Sequence, residues 1–327
     1  MKKLPGAISF DDCFQLFPDL QPPADLHNFW NGCLRQQRKA PLNPDFHPIP
    51  GDKSGGMECF EIDFQGHDGR TLRALLTLPG KKGPYPVVVS FHDYREKPLL
   101  QKEFLERGIA HCVFQLREHE TLLSVPEEDE YNIKDVPEPS VDFLSMYGLK
   151  SVEMSYPYFC FLDGVRCVEM LRSMKELNAD KFVLYGKGFG GAVAVFAGLH
   201  AGKAAALVLD RPSFIWMEDY LKESHSYPAM EIKRIKSAFS HVQRSQVLKR
   251  LGYLDVIYQM ESLKMPVLTT AFYRDRWSPC RPIFAAFNRI ISDKTMELFP
   301  EKAYLTNRKG VAKKIADFVE EAIKRKG

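Results

Sequence analysis

No segment of this 327-residue chain reaches the run of roughly 18 apolar residues that a membrane-spanning helix requires, so no span is expected. The start, MKKLPGAISFDDCF, is basic, but Pro5 breaks its apolar run and Asp11 and Asp12 stop it, which makes a poor secretory leader. An excess of either charge is missing as well: a net charge of +3 is too small to suggest nucleic acid as a partner. The seven cysteines (Cys13, Cys33, Cys59, Cys112, Cys160, Cys167 and Cys280) are scattered, odd in number and never spaced C-x-x-C. That pattern argues against a disulfide framework and against a metal site, and it fits reduced thiols in a cytoplasmic protein. Cys160 and Cys167 can share a helix face, but they read as core residues.

What is present is ordinary globular composition, 45% hydrophobic and 27% charged, on a chain long enough for a large core. Residues 1–50 are rich in proline and aromatics and read as an N-terminal extension packed on a single domain of residues 51–327. Within the extension, Leu26–Gln37 has helical spacing with Asp25 as its N-cap. MECFEIDFQ alternates like a strand, GHDG turns, and RTLRALLTLP is a second strand, which together make a hairpin. YPVVVSFHDY suits a buried parallel strand. EFLERGIAHCVFQLR reads as a helix, a glycine stop and another strand. Residues 121–150 form a polar, acidic, proline-bearing loop.

The rest of the chain alternates regularly. YFCFLDGVRCVEMLRSMKEL is an amphipathic helix, DKFVLYG and AAALVLD are strands, and residues 214–262 look mostly helical. PVLTTAFYRD is a strand, PIFAAFNRII a helix and KTMELFP a last strand. The C-terminal helix ends in lysines and arginine, which suit the negative end of its dipole. Strand and helix alternating after an antiparallel start predicts an α/β fold: a three-layer sandwich with a mostly parallel sheet and an antiparallel N-terminal hairpin.

The stretch KFVLYGKGFGGAVAVFAGL carries the functional signal. A strand enters a glycine-rich corner, Gly186-Lys187-Gly188-Phe189-Gly190, and an apolar helix leaves it. In α/β hydrolases this corner reads G-x-S-x-G and holds an exposed nucleophile before a helix N-terminus that favours developing negative charge. A nucleotide cofactor is not expected, because GKGFGG has neither G-x-G-x-x-G spacing nor a G-K-[ST] end.

Further segments sharpen this. LHNFWN, FQGHDGRTLRALLTLPG followed by YPVVVSFHDY, FQLREHE, the run from FLDGVRCVEM to the elbow, and RDRWSPCRPIFAAFNRI occur in one order. Together they resemble the acetyl xylan esterase / cephalosporin C deacetylase family, carbohydrate esterase family seven, over roughly residues 25 to 325. The resemblance implies an α/β-hydrolase fold, no cofactor, a small ester or acylated carbohydrate as ligand, and a homo-oligomer. It also implies a Ser-His-Asp triad in chain order Ser, Asp, His.

The catalytic positions do not follow the pattern. The serine falls on Gly188, which has no side chain to form an acyl-enzyme. The acid falls on Asp275 and is present, but the histidine position falls near Tyr304, and no histidine follows His241. Tyrosine titrates near pH 10 and is a poor base at neutral pH. Losing the nucleophile or base of such a triad costs on the order of 10⁶ in turnover. Two losses at separate loci read as lost chemistry, so the chain is expected to be a non-catalytic homologue, with an active hydrolase of remodelled site as the alternative.

The oxyanion-hole positions fall on Tyr94 and Phe189. The residue before Tyr94 is Asp93 where the family has glycine, and a carboxylate there opposes a developing oxyanion. Arg117 survives from a family loop whose glycines do not. Substitute nucleophiles or pocket groups are sought among Lys187, Cys280, Ser213 and Ser278. Lys187, at the variable position of the elbow, is expected to point to solvent. His92 and His119 read as structural histidines, and Asp163, Arg166 and Glu169 as ion-pair and packing residues. Phe189 and Trp277 are open to two readings, ligand-facing or filling an emptied pocket.

Overall fold

The computed structural model describes residues 10–50, 57–80, 83–97, 100–117, 151–238, 241–299 and 308–325. A nine-stranded sheet forms its middle layer. The strands are β1 (Asp45–Ile49), β2 (Glu58–Gln65), β3 (Thr71–Leu78), β4 (Tyr85–Phe91), β5 (Ala110–Gln115), β6 (Leu177–Lys187), β7 (Ala206–Asp210), β8 (Val267–Phe272) and β9 (Lys294–Phe299). Their spatial order is β1-β2-β3-β5-β4-β6-β7-β8-β9. Pairings are antiparallel from β1 as far as β5 and parallel from β5 to β9. The expected hairpin is β2–β3, with Glu58 opposite Leu78 and Gln65 opposite Thr71.

The alternating and continuous apolar runs divide as their burial requires. β4, β7 and β8 lie inside the parallel part and are almost wholly buried, while β2 alternates because one of its faces is wetter. The helices are α1 (Phe10–Cys13), α2 (Leu26–Gln37), α3 (Lys102–Leu105), α4 (Tyr156–Arg172), α5 (Phe189–His200), α6 (Met217–Glu223), α7 (Tyr227–Ala238), α8 (His241–Tyr253), α9 (Cys280–Arg289) and α10 (Arg308–Lys324). One sheet face packs on α2, α4 and α5. The other packs Val88, Val183, Val208 and Leu268 against Phe104 of α3 and Val311, Ile315 and Val319 of α10. Those are the three expected layers.

Two details depart from the sequence expectation. Asp45–Ile49, inside the segment read as an extension, adds an edge strand to the sheet. Its residues are all exposed and include Pro48, so it lacks the apolar alternation that marks a strand; an edge position tolerates proline. The helix expected from EFLER is a single turn, α3, ended by Gly108 at φ 75°. Elsewhere in the extension, α2 has the predicted bounds and is pinned by Trp30. That ring is 4.4 Å from Phe196 and stacks 5.5 Å from Tyr158, and its Nε1 donates to the Tyr253 carbonyl at 2.8 Å. Asp25 sits at the N-cap without a side-chain capping bond and instead accepts from the Tyr253 hydroxyl at 2.5 Å.

Candidate functional site

The elbow is formed where β6 ends and α5 begins. Gly188 has φ 52° and ψ −123°, a conformation that L side chains rarely adopt. Gly190 lets the helix lie against the neighbouring strand, since a Cβ there would stand 2.2 Å from the Phe91 carbonyl oxygen. The local sequence thus builds a sharp strand-to-helix corner, with Gly188 at the position where the sequence pattern leads one to expect a nucleophile.

Sheet register then determines what faces Gly188. In the parallel pair β4–β6, Phe91 is opposite Gly186. Two residues further along each strand stand Asp93 and Gly188. A Cβ at 188 would lie 2.0 Å from Asp93 Cγ, so the Asp93 carboxyl occupies the room that a serine side chain would need. Its Oδ1 accepts from the backbone N–H groups of both Tyr94 and Phe189, each at 2.7 Å. These are the two amides expected to line an oxyanion hole. Burial, assisted by the nearby Glu96 carboxylate, pushes the Asp93 carboxyl up to about 6, against the opposing pull of the two amides and Lys187.

The amides expected to receive an oxyanion are therefore occupied by a carboxylate from the chain itself. Tyr94 and Phe189 are both buried. The Tyr94 hydroxyl donates to Glu231 at 2.8 Å. The Phe189 ring packs edge-on to Tyr94 and Phe214 and stacks on Tyr156, as a core side chain does.

Asp275 lies on the loop between β8 and α9. Its Oδ1 accepts from the N–H groups of Trp277 at 2.8 Å and Ser278 at 3.1 Å, and its Oδ2 is 3.6 Å from Arg211 Nη1. Both side chains are largely buried. Arg211 was not singled out from the sequence. It directly follows β7 with φ 47°, and no motif marks it. Tyr304 and His119 lie outside the described residues.

Two of the substitute groups, Lys187 and Cys280, have their side chains engaged elsewhere. Lys187 does not point into solvent: its side chain is 14% exposed and ion-paired with Glu96, because the register that brings Asp93 to Gly188 also brings this acidic turn alongside. Cys280 opens α9, and its thiol donates to the Phe272 carbonyl at 3.1 Å. Burial, with Cys13 and Asp275 nearby, pushes that thiol up to about 12. Ser213 is buried, and its N–H donates to the Gly188 carbonyl at 2.9 Å; buried Ser278 donates its N–H to Asp275. Trp277 is half-buried, and its carbonyl accepts from Ser224 Oγ at 2.6 Å.

Arg117 is held in an ion-pair cluster. It makes a two-pronged contact to Asp163, at 2.6 and 2.8 Å, and a third to Asp68 at 2.9 Å. Its guanidinium lies 4.4 Å from the centre of the Phe159 ring. Burial alone would lower its pKa, but the two carboxylates raise it well above the usual arginine value. Arg166 donates to the carbonyls of Gln37, Ala40, Pro41 and Gln65, and Glu169 pairs with Arg38 at 2.8 Å. His92 is fixed between two backbone groups. Its Nδ1 is 2.7 Å from the Asp93 carbonyl, and its Nε2 accepts from the Leu116 N–H at 3.0 Å. Burial holds it down to about 4.

Among the described residues, no group of three or more His, Cys, Asp or Glu side chains could hold a metal ion, and no helix is long and apolar enough to cross a membrane.

Comparison with known proteins agrees with this architecture. The chain is similar to the acetyl esterase Axe7A of Xylanibacter ruminicola, 23% identical over 301 residues that cover 89% of this chain and 65% of that protein. It thus spans about two thirds of that relative's length. Among solved structures, an acetyl xylan esterase from Paenibacillus sp. R4 superposes with a TM-score of 0.82 at 20% identity, covering 96% of this chain and 99% of that one. Acetyl xylan esterase 1 from Thermoanaerobacterium sp. JW/SL YS485 does so with a TM-score of 0.79 at 18% identity, covering 95% and 99%. At these identities the likeness establishes the α/β-hydrolase-type fold of these esterases. The family model for acetyl xylan esterase (AXE1) matches residues 7–322, nearly the whole chain, and the chain belongs to that family.

Proposed function

We propose that this chain is a non-catalytic member of the acetyl xylan esterase family, which keeps the fold and the site's location while its acyl-transfer machinery is internally occupied. The observation that carries this reading is the position of Asp93. Its carboxyl takes both amides that would receive an oxyanion and fills the space of residue 188. Catalysis by such amides requires them to be free for charge that appears in the transition state. Two further features support the reading: residue 188 has no side chain, and Asp275 is paired with Arg211.

A remodelled active hydrolase would need another nucleophile. The ion-paired Lys187 and the hydrogen-bonded Cys280 thiol, pushed up to about 12, both weigh against it. Acetylated carbohydrate is the ligand class that the family supports. A cytoplasmic location and a homo-oligomer remain part of the proposal, to be checked by fractionation and light scattering.

The deciding assay uses p-nitrophenyl acetate and acetylated xylose. The wild type is expected to be silent. Gly188→Ser with Tyr304→His is expected to stay silent because the displaced Asp93 carboxylate still stands beside the hole and opposes a developing oxyanion. Adding Asp93→Gly to that pair is expected to start turnover. Saturable wild-type turnover that survives repeated purification would overturn the reading.

A further inference from the structure

We propose that a groove between α2 and the C-terminal end of α5 binds a small hydroxylated molecule carrying one oxyanion group, a carboxylate or a phosphate. The groove lies apart from the elbow. The elbow sits at the first residue of α5, Phe189, and the groove at the last, His200. The length of that helix, about 16 Å, separates them. The proposal therefore stands whether or not the elbow turns over esters.

The cavity holds about 520 Å³, within the range of small-molecule sites. One wall is a stripe of α2 and its C-cap. Asn28, Asn31, Arg35 and Arg38 recur there at three- and four-residue spacing, which sets them one above another on the helix surface. Leu199 and His200 of α5 form the other side, and buried Leu34 completes the lining.

Charge selects the ligand. No acidic side chain is among the described residues that line the groove. Arg38 is pinned from two sides: its Nε donates to Glu169 of α4 at 2.8 Å, and its Nη2 donates to the His200 carbonyl at 2.7 Å. Glu169 offsets the charge of that guanidinium. Arg35 has no such partner. Its Nε donates to the Asn31 carbonyl at 3.3 Å, and no carboxylate pairs with it among the described residues. His200 adds no charge near neutral pH, because burial, with Arg38 and His27 nearby, lowers its pKa against the pull of its bond to Gln259. The unmatched charge is thus the Arg35 guanidinium, whose planar fork suits the paired oxygens of a carboxylate or phosphate. The Asn28 and Asn31 amides offer donors and acceptors, which hydroxyl groups can pair. Arg35 also lies in the last turn of α2, where a cation complements the helix dipole. That role needs no ligand, and the test separates the two.

The test is calorimetric titration of the full chain in low-salt buffer near neutral pH. The probes are glucuronate and glucose 6-phosphate, with glucose, acetate and inorganic phosphate as controls. Wild type, Arg35→Gln and Asn28→Asp are compared; both positions are exposed, so neither substitution removes core packing. Saturable one-to-one binding is expected for glucuronate, glucose 6-phosphate or both, which tells carboxylate from phosphate, and no binding for glucose. Arg35→Gln should weaken it at least about tenfold by removing the charge-assisted bonds. Asn28→Asp should weaken it by a similar factor, because it places a carboxylate in the lining. Three results would overturn the proposal and leave Arg35 as a partner of the helix dipole alone: no saturation by either sugar anion at tens of millimolar, unchanged binding in either variant, or acetate, phosphate or glucose binding as tightly as the sugar anions. This titration and the ester assay fail independently, since they read opposite ends of α5.

Discussion

The Asp93 carboxyl stands in the place of a side chain at residue 188: a Cβ built on Gly188 would lie 2.0 Å from Asp93 Cγ. The two residues are 95 positions apart in sequence and face each other because β4 and β6 pair with Phe91 opposite Gly186. The substitutions that distinguish this site from the family pattern are thus sterically coupled. Asp93 can reach the amides of Tyr94 and Phe189 only if residue 188 has no side chain.

That coupling predicts a large interaction in a double-mutant cycle. Gly188→Ser should destabilise the protein by on the order of 3 kcal/mol, from a positive-φ cost of about 1–2 kcal/mol plus displacement of a buried carboxylate. Asp93→Gly combined with Gly188→Ser should recover at least about 1 kcal/mol of it. Urea unfolding of the four proteins measures this. Strictly additive losses would mean that the two side chains do not compete for one space.

A second prediction concerns pH. The Asp93 carboxyl titrates near 6 in the folded chain, above its usual value, because burial and Glu96 disfavour the charged form. The folded state then binds more protons than the unfolded state between about pH 4 and 6, so this group's contribution to stability falls as pH rises through that window. Asp93→Asn removes the dependence. The variant should be more stable than the wild type above about pH 6, by about 1–2 kcal/mol after allowance for partial exposure, and the gap should close by about pH 4. Melting temperatures at several pH values test it; a constant gap would show that the carboxyl is not the titrating group.

Cys280 gives the third prediction. A thiol pushed up to about 12 by burial is almost entirely protonated at pH 8. Alkylation by iodoacetamide in the native protein should be roughly a thousandfold slower than for an ordinary exposed cysteine. Timed labelling with peptide mapping reads this directly. Rapid labelling of Cys280 in folded protein would reopen the case for a thiol nucleophile.

Much of this was legible along the chain. The glycine at 188, where a serine was expected, and the absence of histidine after His241 are matters of identity and need no structure. The order of layers also followed from pattern, because apolar runs such as YPVVVSF and ALVLD can bury both faces only inside a parallel sheet. Asp93 was recognisable as a carboxylate near the hole, and a local argument goes no further than that.

What needed the tertiary structure was every contact made between distant segments. Asp93 reaching into residue 188's space, Arg211 closing on Asp275 and Glu96 holding Lys187 all join loops at the carboxyl ends of neighbouring strands. Those loops share no periodicity, and their meeting depends on sheet register and on backbone conformations such as the positive φ of Gly188 and Arg211. Residue identities determined which side chains stand at the positions where the family pattern is expected to place its catalytic groups. Only the packing of the strand ends decided what those side chains meet, because hydrogen bonds and ion pairs form between groups brought together in space, whatever their separation along the chain.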